Sequence, residues 1–492
     1  MKTFSQTFLG LLLLLGWIAL FPSAGRASEA RVDSTGGLTT ILDDETDNLD
    51  LFLDGNPAGL VLLNTRDRFD LAGEWSYSDK EGPWGSDKRQ VLSTIPRSTD
   101  NPVKYEGLML FPDPHWAVQV AGDALVNQGV PSSLYSNDTE TDFQYRGILR
   151  AAYALPALSL GLEILDMESD NRFDPGLYNP YVGIASGSAA QNQLLLKSGF
   201  IATFPERTSP QDPRWQAGGY FEAQLGSAAL DKTLDVFYNG SPSFPVRQTD
   251  STADFTRWGA ELLYELPSVA KLRLTASLVN SDDDFEQSVP AASAYFGNLP
   301  RYRSSRFQSV DVAAAFKLNL PFSDADNLKI GGSLDGFFSN QDILRMDGSV
   351  SSNNQRDQVG TSFGIGLENP KEYTMGVQWK SLSHAKAGDA VNVAGTSASL
   401  SGTDYAYYQV AFGGEKWISS TWAFRLGLVG EVDDDSATSI SSLTTTINAG
   451  AGVEEVFGRV DFRLWLGQAG DLNNQANTQG LIGTQVSATI FL

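Results

Sequence analysis

Histidines, carboxylates and basic side chains are the groups in this sequence that could do chemistry, and cysteine is absent. His115 and His384 are the only two imidazoles among 492 residues. A hydrolase would need one of them within reach of a hydroxyl or an acid. His384 has Ser381 and Ser383 beside it, and His115 follows Pro112-Asp113-Pro114 in a short turn. A lone loop histidine reads first as a polar surface residue, with His384 placed at the start of a long loop. No histidines are spaced as metal ligands, no thiolate is available, and no glycine-rich phosphate loop follows a parallel strand. The chain is expected not to be an enzyme and to carry no cofactor and no metal.

The charged residues say more. Glu163, Glu222, Glu261, Glu265, Asp311, Asp335 and Asp461 fall on the same side of their segments as Arg146, Arg150, Arg257, Lys271, Arg273, Lys317, Lys329, Lys380, Arg425 and Arg463. A strongly ion-selective pore lines itself with one sign of charge. A mixed lining reads as salt-bridge ladders that stiffen a wall, and it is compatible with a polar sleeve around a plug. Arg257, Glu261, Arg273, Arg425 and Asp461 are taken as lumen-lining on this pattern.

The elements that must carry these side chains are strands. In Arg257–Asn280, Trp258, Ala260, Leu262, Tyr264 and Leu266 alternate with Arg257, Gly259, Glu261, Leu263 and Glu265. After Pro267-Ser268-Val269-Ala270 the alternation resumes, with Leu272, Leu274, Ala276 and Leu278 set against Lys271, Arg273, Thr275 and Ser277. Period two puts the apolar set on one face and the charged set on the other. Strands of about 9–11 residues joined by short turns at one end and long loops at the other belong to membrane-spanning barrels. Mean hydropathy is −0.19, as alternation averages to neutral. After the first two dozen residues no apolar run is long enough for a transmembrane helix.

The unit recurs as about 19 candidate strands from residue 69 to Leu492, whereas a bacterial single-chain barrel needs an even number. The surplus falls between 194 and 239, where candidates at 194–204, 214–226 and 231–239 are joined by two short connections in succession. Assigning 194–204 to a folded loop or an inward excursion leaves about 18, and merging weak strands elsewhere leaves 14 or 16. The expected class is all-β, a transmembrane antiparallel barrel over residues 68–492. Trp75, Trp116, Tyr153, Trp215, Trp379, Trp422 and Trp465 suit interfacial girdles. Residues 168–193 read as a long loop.

The first residues read as a secretory signal: Lys2, an apolar Leu9–Phe21, then small residues with a cleavage site expected after Ala27. A retained anchor is the competing reading. Residues 28–67 precede the strands and end in Asn56-Pro57-Ala58-Gly59-Leu60-Val61-Leu62-Leu63, a turn followed by a stretch that is apolar on every side. Next to a barrel, such a segment must bury itself, and the lumen is the expected place. Formal charge is −24, which excludes the basic face of a nucleic-acid binder. The acidic runs at Asp43-Asp44-Glu45, Asp282–Asp284 and Asp433–Asp435 are either solvated charge or sites for divalent cations bridging to anionic lipid sugars.

Gly55-Asn56-Pro57-Ala58-Gly59-Leu60 resembles the hatch motif of FadL-type outer-membrane long-chain fatty-acid transporters. Phe412-Gly413-Gly414-Glu415-Lys416-Trp417 with Trp422-Ala423-Phe424-Arg425-Leu426-Gly427 resembles that family's late hairpin, in which a Gly-x-Glu-aromatic turn leads into a strand carrying Arg-x-Gly. The likeness covers these two motifs and the general architecture. It implies a barrel of about 14 strands plugged by its amino-terminal segment. It also implies hydrophobic substrates that move passively inward or sideways into the bilayer, with Asn56, Pro57, Ala58, Gly59, Leu60, Leu62 and Leu63 forming the plug and substrate surface. The partners expected are outer-membrane lipid, lipopolysaccharide and a hydrophobic small molecule. An open porin and an adhesive surface barrel are the alternatives, and the oligomeric state is open.

Overall fold

Alternating side chains pair most economically when every strand edge meets another strand, and the chain reaches that end state. The structure, a computed structural model, describes residues 29–42, 56–63, 67–79, 100–129, 139–174, 182–204, 213–226, 228–238, 244–288, 302–345, 350–370, 372–391, 397–435, 440–455, 458–471 and 478–492. The expected signal segment and the acidic run at 43–54 lie outside these residues. Among the described residues, two short helical elements precede the strands: α1 (Glu29–Ser34) and a 3-10 stretch, Pro57–Leu63.

The strand stretches are β1 (Arg68–Asp79), β2 (Asp100–Asp113), β3 (Trp116–Gly129), β4 (Thr139–Leu155), β5 (Leu158–Asp174), β6 (Val182–Phe204), β7 (Arg214–Gln224), β8 (Ala228–Tyr238) and β9 (Phe244–Leu266). They continue as β10 (Ala270–Ser288), β11 (Tyr302–Pro321), β12 (Asn327–Arg345), β13 (Val350–Asn369), β14 (Tyr373–Val391), β15 (Ser397–Trp417), β16 (Trp422–Asp435), β17 (Ile440–Glu455), β18 (Gly458–Asp471) and β19 (Thr478–Phe491). Each pairs antiparallel with its neighbours, and β1 pairs with β19 from Arg68 opposite Phe491 to Asp79 opposite Gly480. The Leu492 amide also donates to the Asp67 carbonyl at 2.8 Å. The wall is closed, so no strand edge is left to aggregate.

The surplus strand has a different cause from the one expected. β6 pairs with both β7 and β8, and so does β9 on the other side. β7 and β8 are therefore one strand position interrupted at Leu225-Gly226, and nineteen stretches make eighteen strands. Gly226 holds φ +81, a conformation that costs an L side chain roughly 1–2 kcal/mol. Residues 194–204 are neither a loop nor an inward excursion but the last part of β6. The count also exceeds the 14 or 16 that merging would give, and the number implied by the resemblance.

Strands reach further than the alternation suggested. β5 and β6 take in 168–174 and 182–193 of the long loop expected there, and 175–181 lie outside the described residues. His384 lies within β14 rather than at a loop start, and its side chain is outside the described set. Asp282–Asp284 and Asp433–Asp435 likewise belong to the ends of β10 and β16.

The two faces separate as the period requires. Leu262 sits opposite Leu274 and Tyr264 opposite Leu272, and Trp258, Leu272, Leu274 and Leu278 are exposed on the outer surface. Large apolar side chains recur on that surface right around the wall, including Leu160, Phe200, Leu334, Phe363, Phe412, Leu428 and Ile447. Trp116, Trp215 and Trp422 lie outside, within a residue or so of strand starts, and the first two pack on Tyr153 and Tyr264 with ring centroids 4.8 and 4.6 Å apart. Trp465 is a correction. It pairs with Asn448 and Gly483, two buried inward positions, and so faces the lumen, with the Arg463 guanidinium 4.5 Å from its ring centre. The Trp75 side chain is outside the described set.

Candidate functional site

At one level the inner wall is lined by the chain's own amino-terminal residues. Both termini of the barrel and the turns Pro114-His115, Pro156-Ala157 and Ile418–Thr421 lie at the same end. Ten inward glycines stand three to five residues in from the strand ends there, as Gly161 does from Leu158, Gly413 from Trp417 and Gly450 from Glu455. At each, an added Cβ would come within 3.0 Å of an atom of residues 34–42 or 56–58, nearer than real Cβ atoms approach.

Residues 29–42 occupy one arc. Ser34 lies over Gly450, Thr35 over Gly413, Gly36 over Gly427, Thr40 over Gly331 and Gly364, and Ile41 over Gly376. The turn after α1 is built from Gly36 and Gly37 at φ +84 and +75, which lets the backbone lie flat on β15 and β16. Gln378 of β14 reads that backbone. Its Oε1 accepts from the Thr40 amide at 2.8 Å and the Thr40 hydroxyl at 2.7 Å, while its Nε2 donates to the Gly37 carbonyl at 3.0 Å. Leu38, Ile41 and Leu42 pack on Ala411 and Val429, and the Lys317 ammonium donates to the Leu42 carbonyl at 2.9 Å.

Residues 56–63 occupy another arc. Asn56 stands over Gly199 and Gly218, and Pro57 and Ala58 over Gly161. The Asn56 amide donates to the carbonyls of Phe200 at 2.8 Å and Gly219 at 3.2 Å, while its oxygen accepts from the Ala58 amide at 3.1 Å. Gly59 is half-buried near Ile201. Leu60 and Val61 are buried on Met109, Ala117 and Ala152, with Leu62 partly buried beside them. Leu60 is fully buried against the wall. The Leu63 side chain is outside the described set. Nor are these the only apolar groups within: Ala121, Ile148, Leu165 and Leu195, with Met167 and Phe255, make a further inward cluster.

The charged lining resolves into ladders of alternating sign at paired positions. Arg150 lies opposite Glu163, Glu163 opposite Lys197, Lys197 opposite Glu222, and Glu222 opposite Arg257. The Arg150 Nε–Glu163 bond is 2.6 Å, and Lys197 stands 3.4 Å from Glu163 and 3.7 Å from Glu222. Arg257 lies 3.7 Å from Glu222, and Gln119 accepts from Arg150 at 3.0 Å. Four of these side chains, Arg150, Glu163, Lys197 and Glu222, are buried, and each has an opposite charge beside it, as burial of an ion demands.

A second network joins the amino-terminal arc to the wall. Arg31 of α1 grips Glu415 through Nε at 2.8 Å and a terminal nitrogen at 2.6 Å. Arg425 reaches the same carboxylate at 2.6 Å and Asp461 at 2.7 Å, and Arg459 completes the row to Asp461 at 2.6 Å. Gly452 leaves the space in which Arg425 and Asp461 meet. Glu415, read from sequence as part of a turn, belongs to β15, and the turn is Ile418–Thr421. Arg31, Gln378 and the inward glycines were missed in the sequence. The Gly36-Gly37 pair was the one local signal of a sharp turn within residues 28–67.

The remaining predicted lumen residues gather elsewhere. Arg257, Glu261 and Arg273 line a cavity of about 460 Å³ together with Tyr220, Asp311, Asp335, Phe337 and Gln358. Glu261 Oε1 and Asn56 Nδ2 converge over Gly218, so the cavity abuts the second arc. Arg425 and Asp461 belong to the Arg31 network and not to the cavity. His115 is exposed in its turn, with Nδ1 2.8 Å from the Asp113 carboxylate. Among the described residues no three carboxylates or histidines are grouped to hold a metal.

No family model and no curated protein sequence matches the chain. Solved structures resemble it weakly. The Pseudomonas putida toluene transporter TodX is 12% identical over 96% of this chain and 100% of its own, with a TM-score of 0.39. The Ralstonia pickettii toluene transporter TbuX is 12% identical over 94% and 97%, with a TM-score of 0.38. The ferripyoverdine receptor of Pseudomonas aeruginosa is 8% identical over 86% and 72%, and reaches the same 0.39. Likenesses this distant assign neither family nor substrate. What the chain is rests on its own geometry: a closed antiparallel barrel, apolar outside and charged within, that holds its amino-terminal residues against the inner wall at one end.

Proposed function

We propose that this chain is an outer-membrane transporter whose residues 28–67 plug the barrel, and which passes hydrophobic small molecules by diffusion. The observation that carries the reading is the seating of residues 29–42 and 56–63 on the inner wall at a single level near the short-turn end. An open porin would not spend glycines, a buried ion pair and amide clamps on holding its amino terminus inside. The apolar outer surface supports a lipid environment, with lipid and lipopolysaccharide as surroundings and export by a cleaved signal segment. The Trp–Tyr pairs at the short-turn rim suit a membrane–water interface.

Support for a hydrophobic cargo comes from the inward cluster of Ala121, Ile148, Leu165, Leu195, Met167 and Phe255. A second reading, passage of a polar solute, is favoured by the charged cavity at Arg257, Glu261 and Arg273. Deleting residues 29–63 and reconstituting the barrel in vesicles separates the possibilities. The plug reading expects leakage of small sugars to rise sharply, with heat-modifiable gel mobility showing that the barrel is intact. Unchanged leakage from a folded deletion variant overturns it. In the intact protein, selective uptake of a fluorescent fatty acid over a sugar favours the hydrophobic cargo, and the reverse preference favours the polar one.

A further inference from the structure

We propose that the inward glycines form two separate receptor seats for the amino-terminal segment, so that the barrel end is closed by two half-seals that release independently. This rests on the plug reading and adds which wall residues set the closure and how it divides. One seat, on β12 to β17, includes Gly331, Gly364, Gly413 and Gly427 and takes residues 34–42. The other, on β5 to β7, includes Gly161 and Gly199 and takes residues 56–58.

Three observations carry it. First, the clearance is filled by the segment itself. At Gly413 and Gly331 the occupying atom is a carbonyl oxygen, at Gly427 and Gly161 a backbone nitrogen. Backbone cannot swing aside as a flexible side chain tip can, so any Cβ there displaces the segment or bends the wall. Other inward glycines serve the wall's own side chains: Gly259 lies under the Tyr220 ring and Gly483 under the Trp465 ring. The segment's glycines are thus distinguishable from those that merely accommodate an aromatic ring.

Second, each seat has its own polar clamp. Gln378 and the Arg31–Glu415 pair hold the first arc, and Asn56 holds the second through the Phe200 and Gly219 carbonyls. Third, the two sets share no wall residue. The apolar contacts divide in the same way, Ala411 and Val429 for the first arc against Met109, Ala117 and Ala152 for the second. Interactions without shared partners at well-separated sites add independently.

The chain lacks cysteine, so a single thiol reports on one arc at a time. Thr35 and Ala58 are fully buried reporters of the first and second arcs. Gly413→Val and Gly161→Val are each combined with Thr35→Cys and, separately, with Ala58→Cys in reconstituted vesicles. A membrane-impermeant maleimide is the probe, and heat-modifiable mobility checks the barrel. Gly413→Val is expected to speed labelling at Thr35→Cys by roughly tenfold or more, the effect of about 1.4 kcal/mol of lost seating, with Ala58→Cys unchanged. Gly161→Val is expected to do the converse. Gly430→Ala, at a glycine of β16 with open space around it, is the control that changes neither.

Acceleration at both reporters from either variant overturns the independence of the seats. No acceleration at either, in a folded barrel, overturns the seats altogether. The plug reading stands or falls separately on the sugar leakage of the deletion variant. Where a valine variant fails to fold, the alanine variant at the same glycine is scored against the same two reporters.

Discussion

Arg31→Met isolates the polar clamp on the first arc. Arg31 gives Glu415 two charge-assisted bonds, at 2.8 and 2.6 Å, in a place where the carboxylate is fully buried. Hydrogen bonds to charged groups contribute about 1.5–3 kcal/mol each, and leaving a buried charge uncompensated costs about 3–5 kcal/mol. The full penalty is not reached, because Arg425 at 2.6 Å and the Trp417 indole at 3.1 Å still serve Glu415. Methionine also keeps the length and apolar body of the arginine stem. The expected loss of seating is therefore about 2–3 kcal/mol, a ~30- to 150-fold rise in the unseated population of residues 29–42. The assay is maleimide labelling of a Thr35→Cys reporter, with the barrel monitored by heat-modifiable mobility. Because the pair is buried, raising salt should not imitate the variant. A labelling rate within about twofold of the parent, in a folded barrel, refutes the argument that the ion pair holds the arc.

Four further outcomes follow from the same structure. Replacing Asn56 and Pro57 together with alanine removes the contacts to Phe200 and Gly219 but no strand ladder. The barrel should fold while sugar leakage rises and uptake of a hydrophobic probe falls, read by vesicle flux. Leu262→Arg places a charge on the outer face, and folding into lipid vesicles should weaken by about 2–4 kcal/mol if the site lies near the midplane, read by urea titration. Glu163→Gln leaves Arg150 and Lys197 short of a buried counter-charge and should cost about 3–5 kcal/mol. Arg306→Ala, whose partner Asp282 is 3.8 Å away with both side chains more than half exposed, should cost under about 1 kcal/mol. The same titration compares the two.

The sequence by itself settled what local periodicity can settle. Period-two alternation marked the strands, the outward Leu262 and Leu274, and the inward Arg257, Glu261 and Arg273, because side-chain direction on a strand follows from position alone. It also located the irregularity between 194 and 239 but misread the cause. That β7 and β8 share one strand position depends on both pairing with β6 and β9, which no local pattern records. Trp465 was assigned outward because an aromatic near a strand end is common at an interface. Its register with Asn448 and Gly483 turned it inward.

The seating of the amino-terminal residues was decided only by tertiary structure. Asn56 and Leu60 stood out as a turn and a greasy stretch, but Arg31 lies 384 positions from Glu415 along the chain, and nothing near either one points to the other. The glycines were invisible for a plainer reason. A glycine on a strand reads as a weak spot or a bulge, and its missing Cβ gains meaning only when another backbone occupies the space. Gly413 and Gly331 acquire their role from the carbonyls of Thr35 and Thr40 laid against them. Closing the barrel is what brings those distant backbones into contact with the wall.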